Sequence, residues 1–227
     1  MNSHYPVFRV GAAQGLVPKL GGLPWGLPAR LWPICKECER PMSHLAQLPA
    51  DAAALAVNED EVLFLFKCEW DSVCSFWDHD GGANAAFTVP RTALGDSPTA
   101  APVAGDEGPP VELPELGITQ WKAADDGAPP QMEDDFYDYG RHNALPDDIA
   151  HPHDWAGAWR TKSGGVPYWT ANGAQGMPPG RLLLQIDNWV EVDGANVEVA
   201  NFCSDGTAYV FVDRAQTPPT YSLFINR

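Results

Sequence analysis

The hydrophobic positions of this sequence fall into short runs separated by polar and turn-forming residues, a pattern typical of β-strands. Val62–Cys68 (VLFLFKC) is continuously apolar apart from one lysine, which predicts a strand buried on both faces. Shorter runs at Val7–Val10, Met42–Leu48 and Ala85–Pro90 predict three further strands. Ala50–Val57 is rich in alanine and predicts a short helix.

Runs of the same kind occupy the end of the chain. Arg181–Ile186 and Trp189–Val192 flank an Asp-Asn turn, so we expect them to pair with each other as a hairpin. Three more strands are predicted at Val197–Phe202, Ala208–Val212 and Tyr221–Ile225. Because windows with helical periodicity are few, the pattern predicts a β-rich α+β fold with mostly antiparallel sheet and few short helices.

The first and last thirds of the chain share an ordered series of motifs. Gly21–Trp25 (GGLPW) is matched by Gly164–Tyr168 (GGVPY), and an apolar strand carrying Gln47 or Gln185 follows each of them. This order predicts two similar β units that arose by internal duplication, with chance recurrence of a short motif as the alternative. A glutamine inside an apolar strand needs hydrogen-bond partners, so we expect both to bind neighbouring backbone.

Charge divides the chain into three parts. Of the net charge of −16, residues 96–154 carry most, with 14 acids against two bases. We therefore expect a first β-rich unit (1–95), an acidic, irregular Pro/Gly-rich loop or insertion (96–154) and a second β-rich unit (155–227), joined in one globular body. Residues 95–130 resemble a linker. The aromatic residues Phe136, Tyr137 and Tyr139 predict that the following part packs against the body.

The acidic middle segment restricts the partners of the protein. Its charge repels nucleic acid and anionic lipid, and it attracts a basic protein or a cation. The six acids that we expect to contact a basic partner are Glu133, Asp134, Asp135, Asp138, Asp147 and Asp148. A solvated, flexible insertion whose charge only keeps the chain soluble is the alternative.

The sequence also predicts a cellular compartment. It contains no run of eighteen apolar residues, and its first residues do not show the basic and then apolar order of a signal peptide. We therefore expect a cytoplasmic protein without membrane contact. In a reducing compartment the five cysteines are expected as metal ligands or free thiols rather than disulfides.

Four cysteines of the first half have the spacing C-x2-C-x29-C-x5-C and are Cys35, Cys38, Cys68 and Cys74. A tight turn with two intervening residues presents two sulfurs to one ion, and four thiolates suit a closed, structural zinc site. A redox pair would need a βαβ context that the pattern lacks. Four free thiols and a former metal site now empty stay open as alternatives. Cys203 stands apart and is expected as a small buried apolar residue.

A second, weaker metal candidate lies in the acidic segment. His151 and His153 would face the same side of an extended chain, close to Asp154. A solvated loop is the simpler interpretation of this segment. No nucleophile elbow and no Gly-rich phosphate loop occurs in the sequence.

Six short motifs cover nearly the whole chain apart from about 96–150, namely Lys19–Pro24, Trp32-Pro33, Met42–Leu48, Gly82–Val89, Leu183–Asp187 and Cys203–Val212. In these motifs the chain resembles the YwqG-like family of bacterial proteins of unknown function.

The first half contains a second ordered set of motifs, namely Gly21–Pro24, Cys35 with Cys38, Pro41–Gln47 and Leu63–Cys68. In these motifs it is also similar to the eukaryotic programmed-cell-death-2 family. The resemblance implies a zinc-type site at the four cysteines and permits a client-binding role, since that family is linked to escorting a ribosomal protein. The sequence departs from the family after residue 90.

These observations lead to a non-enzymatic binding protein as the first functional hypothesis. It would hold structural zinc and bind a basic protein client as a chaperone or escort. An immunity protein that neutralises a basic toxin is an alternative. A metal-dependent enzyme or small-molecule binder that uses the acids and histidines of the middle segment is another.

Overall fold

The computed structural model describes residues 1–12, 14–50, 54–70, 74–170 and 177–226. Its strands are β1 (Asn2–Val10), β2 (Lys19–Leu20), β3 (Ser43–Pro49), β4 (Glu61–Lys67), β5 (Asn84–Pro90), β6 (Leu116–Asp125), β7 (Lys162–Gly164), β8 (Arg181–Asp187), β9 (Trp189–Val192), β10 (Ala195–Glu198), β11 (Thr207–Asp213) and β12 (Thr220–Asn226). Its α-helices are α1 (Glu133–Tyr137), α2 (Tyr139–Asn143) and α3 (Asp147–Trp155). Short 3₁₀ segments lie at Ala29–Leu31, Arg91–Ala93, Gly105–Glu107 and Pro130–Met132.

Ten of the described strands form one sheet in the order β12-β11-β8-β7-β1-β6-β2-β3-β4-β5, and their pairings are antiparallel. The prediction of a β-rich fold with mostly antiparallel sheet and few short helices is confirmed. Strand β1 of the first half pairs with β7 of the second, and β6 pairs with β2. The two halves are therefore interlocked through the centre of the sheet.

A large apolar cluster spans both halves of the sheet. Phe64 of β4 and Val210 of β11 belong to the same buried cluster. The edge strands β5 and β12 also meet, because the Asn84 side-chain amide donates to the Leu223 carbonyl at 3.1 Å. Neither half can bury this surface alone, so we expect the halves to unfold together.

Each half contains a turn that requires two glycines. Gly21 and Gly22 have φ of 61° and 60°, and Gly164 and Gly165 have φ of 72° and 67°. These values lie in the left-handed region, which glycine enters at little cost. The paired glycines read from the sequence therefore mark two turns of the same kind.

The two glutamines bind backbone next to these turns, as expected. Gln47 Oε1 accepts the N–H of Trp25 at 2.6 Å, and Gln185 Oε1 accepts the N–H of Tyr168 at 2.9 Å. Their amide nitrogens donate to the carbonyl of Val17 and to the carbonyls of residues 158–160, respectively. Both side chains are fully buried.

The expectation that residues 96–154 are irregular is wrong. They contain β6, which lies at the centre of the sheet and pairs with β1 from Val10↔Leu116 to Asn2↔Asp125, and they also contain α1–α3. Only the first three residues of β6 are buried. Backbone hydrogen bonds to a strand on each side hold β6 in the sheet, so most of its side chains need not be apolar. For this reason the hydrophobic pattern of the sequence did not predict the strand.

Two other local predictions were wrong. Strand β9 does not pair with β8 as predicted; it pairs with β10 in a separate two-stranded sheet. The strand predicted at Val197–Phe202 is β10, which begins at Ala195 and ends at Glu198. Part of the predicted helix Ala50–Val57 lies outside the described residues, and the described part, 54–57, is not helical. Propensity alone is a weak guide where tertiary pairing offers a competing backbone partner.

Aromatic residues fasten α1 to the second half of the sheet, as their presence predicted. Phe136 is fully buried, and its carbonyl accepts the indole N–H of Trp169 at 2.8 Å. The Tyr137 hydroxyl accepts the N–H of Leu182 at 2.9 Å, and its ring packs edge-on against Phe211. None of the described helices has the length and apolar character that crossing a membrane requires.

Candidate metal centre

A tight loop presents Cys35 and Cys38. Ile34 and Pro41 form a β-bridge at its base, and the N–H of Cys35 donates to the carbonyl of Arg40 at 2.8 Å. This closure holds the two sulfurs on one side of a turn, as the x2 spacing predicted.

The second pair lies against the sheet. Cys68 directly follows β4, and its N–H donates to the Ala83 carbonyl at 2.8 Å. Cys74 comes just after residues 71–73, which are outside the described part of the chain, and its carbonyl accepts the N–H of Phe76. The end of a continuous buried strand thus positions Cys68, and Cys74 lies close to it.

The four sulfurs converge on one point. All lie within 4.8 Å of one another, and the Cys38 and Cys68 sulfurs are 3.6 Å apart. A zinc–sulfur distance of about 2.3 Å places the sulfurs of a tetrahedral site about 3.8 Å apart. A disulfide would need about 2.05 Å. Cys35, Cys68 and Cys74 are buried and Cys38 is half-buried, so the cluster could hold a metal ion shielded from water.

Backbone N–H groups favour the thiolate form at Cys35 but not at Cys68 or Cys74. Burial raises the pKa of Cys35, but hydrogen bonds from the N–H groups of Cys38 and Glu37 outweigh it and hold that pKa below its ordinary value. Burial raises the pKa of Cys68 to about 11, although the N–H of Trp70 opposes it. Burial and the neighbouring sulfurs also raise the pKa of Cys74. A bound cation would reverse the two upward shifts, because a coordinating thiol is deprotonated.

Buried charge and aromatic rings support the loop around this cluster. Lys67 is buried, and its ammonium group binds the Cys68 carbonyl at 2.9 Å and the Glu69 carboxylate at 2.8 Å. The Trp70 indole donates to the Pro41 carbonyl at 2.6 Å. These contacts fix the cysteine-bearing segments before any ion binds.

The fifth cysteine takes no part in the cluster. Cys203 lies in a turn with φ of 59° and is half-buried against the large apolar cluster, so it is less buried than expected.

The six acids proposed for partner binding lie on or beside the three helices. Arg181 pairs with Glu133 and Asp134, whereas Arg141 pairs with Asp135 and Asp138. The remaining two acids, at positions 147 and 148, are exposed in the first turn of α3, where negative charge suits the helix dipole. The structure therefore leaves the start of α3 as the least compensated part of this set.

The two histidines of the weaker metal candidate do not converge. They lie on α3, not on an extended chain, and two helical positions two apart point in nearly opposite directions. His151 is exposed and stacks on Trp155, whereas His153 is buried and donates from Nδ1 to the Asp126 carbonyl at 2.6 Å. The expected shared face is wrong.

Sequence reasoning missed two buried lysines beside the glycine turns. Lys19 binds Glu115 at 2.5 Å, and Lys162 binds Asp126 at 3.2 Å. Each lysine stands two residues before a glycine pair, and that shared position was the available signal. The acidic partners could not be read from the sequence because 96 and 36 residues separate them from the lysines.

The sequence matches no family model and no curated protein. The resemblances to the YwqG-like and programmed-cell-death-2 families therefore stay predictions.

Proposed function

We propose that this protein is a non-enzymatic binding protein, with structural zinc at Cys35, Cys38, Cys68 and Cys74 and an acidic helical surface for a basic protein partner. The convergence of four sulfurs within 4.8 Å supports the metal part. Four thiolates complete a tetrahedral zinc shell and leave no position for a substrate, so the ion would serve the fold.

The negative charge of the helical segment supports the proposal of a basic protein partner. Residues 133–155 carry seven acids and one arginine. A surface of one sign steers an oppositely charged protein and raises its association rate, and salt weakens this effect. The exposed start of α3 is the proposed centre of contact. The role is that of an escort or chaperone for a basic client.

A pair of matched charge variants tests this proposal. Asp147→Asn/Asp148→Asn and Asp106→Asn/Glu112→Gln each remove two exposed acids, the second pair from the loop before β6. The tagged chain and both variants would be used to capture partners from host lysate at low and moderate salt, with mass spectrometry and reconstitution from purified components as readouts. We expect one basic protein, lost at moderate salt and lost with the α3 variant only.

The identity of the captured protein decides between the escort role and the immunity role. A ribosomal protein supports the escort role, and a toxin supports the immunity role. If neither variant changes capture, or if no basic protein is retained at low salt, the proposed acidic surface is wrong.

We also propose that the two β units arose by internal duplication. The order β2-β3-β4-β5 on one side of the sheet corresponds to β7-β8-β11-β12 on the other, and the glutamine-to-backbone bonds recur at both glycine turns. Superposing the two sets of strands tests this proposal. Coincidence of Gln47 with Gln185 supports it, and a shift of register by one strand refutes it.

A further inference from the structure

A cleft of about 310 Å³ lies beside the centre of the sheet, away from the cysteine cluster. Strand β1 forms its floor, the residues after α3 form one wall, and the end of β8 with the β9–β10 hairpin forms the other. The side chains used below are Tyr5, Trp159, Arg160, Asp187, Trp189 and Glu191. A volume of this size suits a single side chain or a small molecule.

Two tryptophans stand exposed in the walls of this cleft. Trp159 is 49% exposed and Trp189 is 44% exposed. Indole faces attract cations more strongly than other aromatic side chains do. An exposed pair of indoles within one concave site therefore favours a ligand with a cationic group and an apolar stem.

The charges of the cleft point to the same class of ligand. Asp187 and Glu191 line it, and Glu198 lies opposite Trp189 in the hairpin register, which places it on the same face. Arg160 is the cation of the cleft among the described residues. Its guanidinium group already donates to the carbonyls of residues 156 and 157.

Arg160 also shows what this surface accommodates. Its guanidinium carbon lies 4.5 Å from the centroid of the Tyr5 ring. A cation over an aromatic face, held by carbonyl oxygens, is thus already part of the floor. The indoles and carboxylates at the rim stay available for a second cation.

The floor carries a buried polar group beside Arg160. Tyr5 is 7% exposed, and its hydroxyl makes no hydrogen bond of ordinary geometry with a described residue. The Arg160 guanidinium group lies over the ring and interacts electrostatically with the hydroxyl, so the rim rather than the floor offers groups to a ligand.

Asp187 lies at the wall, and its backbone N–H donates to the Thr161 hydroxyl at 3.0 Å, which joins the end of β8 to the residues after α3. Burial raises the pKa of its carboxyl to about 6, and the N–H groups of Trp189 and Asn188 oppose that shift.

We propose that this cleft binds a lysine or arginine side chain of a basic peptide segment, between the two indoles and against the Asp187 carboxylate. The inference rests on the proposed function, because it supplies an anchor point for the same basic partner. The chain also links the two surfaces: α3 carries the exposed acids at its start, and the cleft wall begins four residues after α3 ends.

Binding of a defined peptide tests this proposal. The probe is a fluorescein-labelled peptide of alternating glycine and arginine, with its lysine counterpart and a glutamate version as charge control, measured by fluorescence anisotropy. We expect Trp189→Ala to weaken binding about tenfold and Asp187→Asn about fivefold. Trp77→Ala removes a tryptophan that is 50% exposed outside the cleft and is expected to change the affinity less than twofold.

Other outcomes separate the inference from the proposed function. Equal affinity of the three variants for the basic peptides, or no binding of these peptides at all, overturns the cleft proposal. If the α3 acid variant loses the captured partner while the cleft variants keep it, the proposed function stands without the cleft. If the peptide binds at the cleft but no basic protein is captured, the cleft proposal stands and the proposed function does not. Circular dichroism confirms that each variant is folded.

Discussion

The two glycine turns have similar local sequences but different supports. In the first turn Lys19 binds Glu115, whose side chain is 35% exposed. In the second turn Lys162 binds Asp126, and both side chains are fully buried. The same local motif is therefore stabilised by a partly exposed ion pair in the first half and by a fully buried ion pair in the second.

The difference extends to the surroundings of each turn. Asp126 also accepts hydrogen bonds from the Met1 amino group at 2.7 Å and from the N–H of Val166 at 3.0 Å. Burial raises its pKa, but Lys162 and these donors outweigh burial and lower that pKa to about 2. The first half instead has the cysteine cluster, which the second half cannot form because it contains only Cys203. A repeated turn thus does not imply a repeated means of stabilisation.

The largest expected loss of stability comes from removing the cysteine cluster of the first half. We expect purified protein to contain about one zinc ion per chain, and Cys35→Ser/Cys68→Ser to lose it together with roughly 5 kcal/mol or more of stability. Because the halves share one sheet, urea unfolding should show loss of the whole structure. Cys203→Ser is the control and should cost less than about 1 kcal/mol. Metal-free protein that unfolds at the same urea concentration would contradict the zinc proposal.

The next effect compares the two lysines. We expect Lys162→Met to cost about 3–5 kcal/mol, because it removes the buried cation beside Asp126 and leaves the partly exposed Met1 amino group to compensate that charge. Lys19→Met should cost about 1–2 kcal/mol, since Glu115 can be hydrated. Urea titrations followed by tryptophan fluorescence measure both. Equal costs would show that burial does not distinguish the two turns.

The last comparison uses the pH dependence of stability, because each half contains one buried histidine. Burial lowers the pKa of His44 in the first half and of His153 in the second half to about 4. The folded state keeps both neutral while the unfolded state binds protons below pH 6.5. Their contribution to stability is therefore complete above pH 6.5 and is lost as the pH falls towards 4. Between pH 7.5 and 5 we expect a loss of about 2 kcal/mol per histidine.

The variants His44→Leu and His153→Asn test this prediction. The free energy of unfolding of each variant is compared with that of the wild type at every pH. Each variant should lose about 2 kcal/mol less stability between pH 7.5 and 5 than the wild type does, even if its stability at neutral pH has changed. Zinc content is measured at every pH so that metal loss is not mistaken for protonation of histidine. Parallel curves for a variant and the wild type would show that its histidine is not responsible.

Several features of the candidate site and fold followed from the sequence because they depend on local chemistry. The run Val62–Cys68 predicted β4 because apolar side chains on both faces need burial. The cysteine spacing predicted the convergence of the four sulfurs, since a two-residue turn brings one pair together. The glycine pairs predicted turns, because few other residues adopt positive φ at low cost.

Other features depended on partners distant in the chain. The strand β6 has an acidic, half-exposed sequence, and only its pairing with β1 and β2 makes it the centre of the sheet. The buried pair of Lys162 with Asp126 and the cleft between Trp159 and Trp189 likewise join segments that no local pattern connects. The sequence by itself thus determined the strands with strong apolar patterns, the two glycine turns and the set of four cysteines that could share one ion. The tertiary structure alone decided which strands are neighbours and which charges are buried, because those choices depend on the free energy of the whole packed chain.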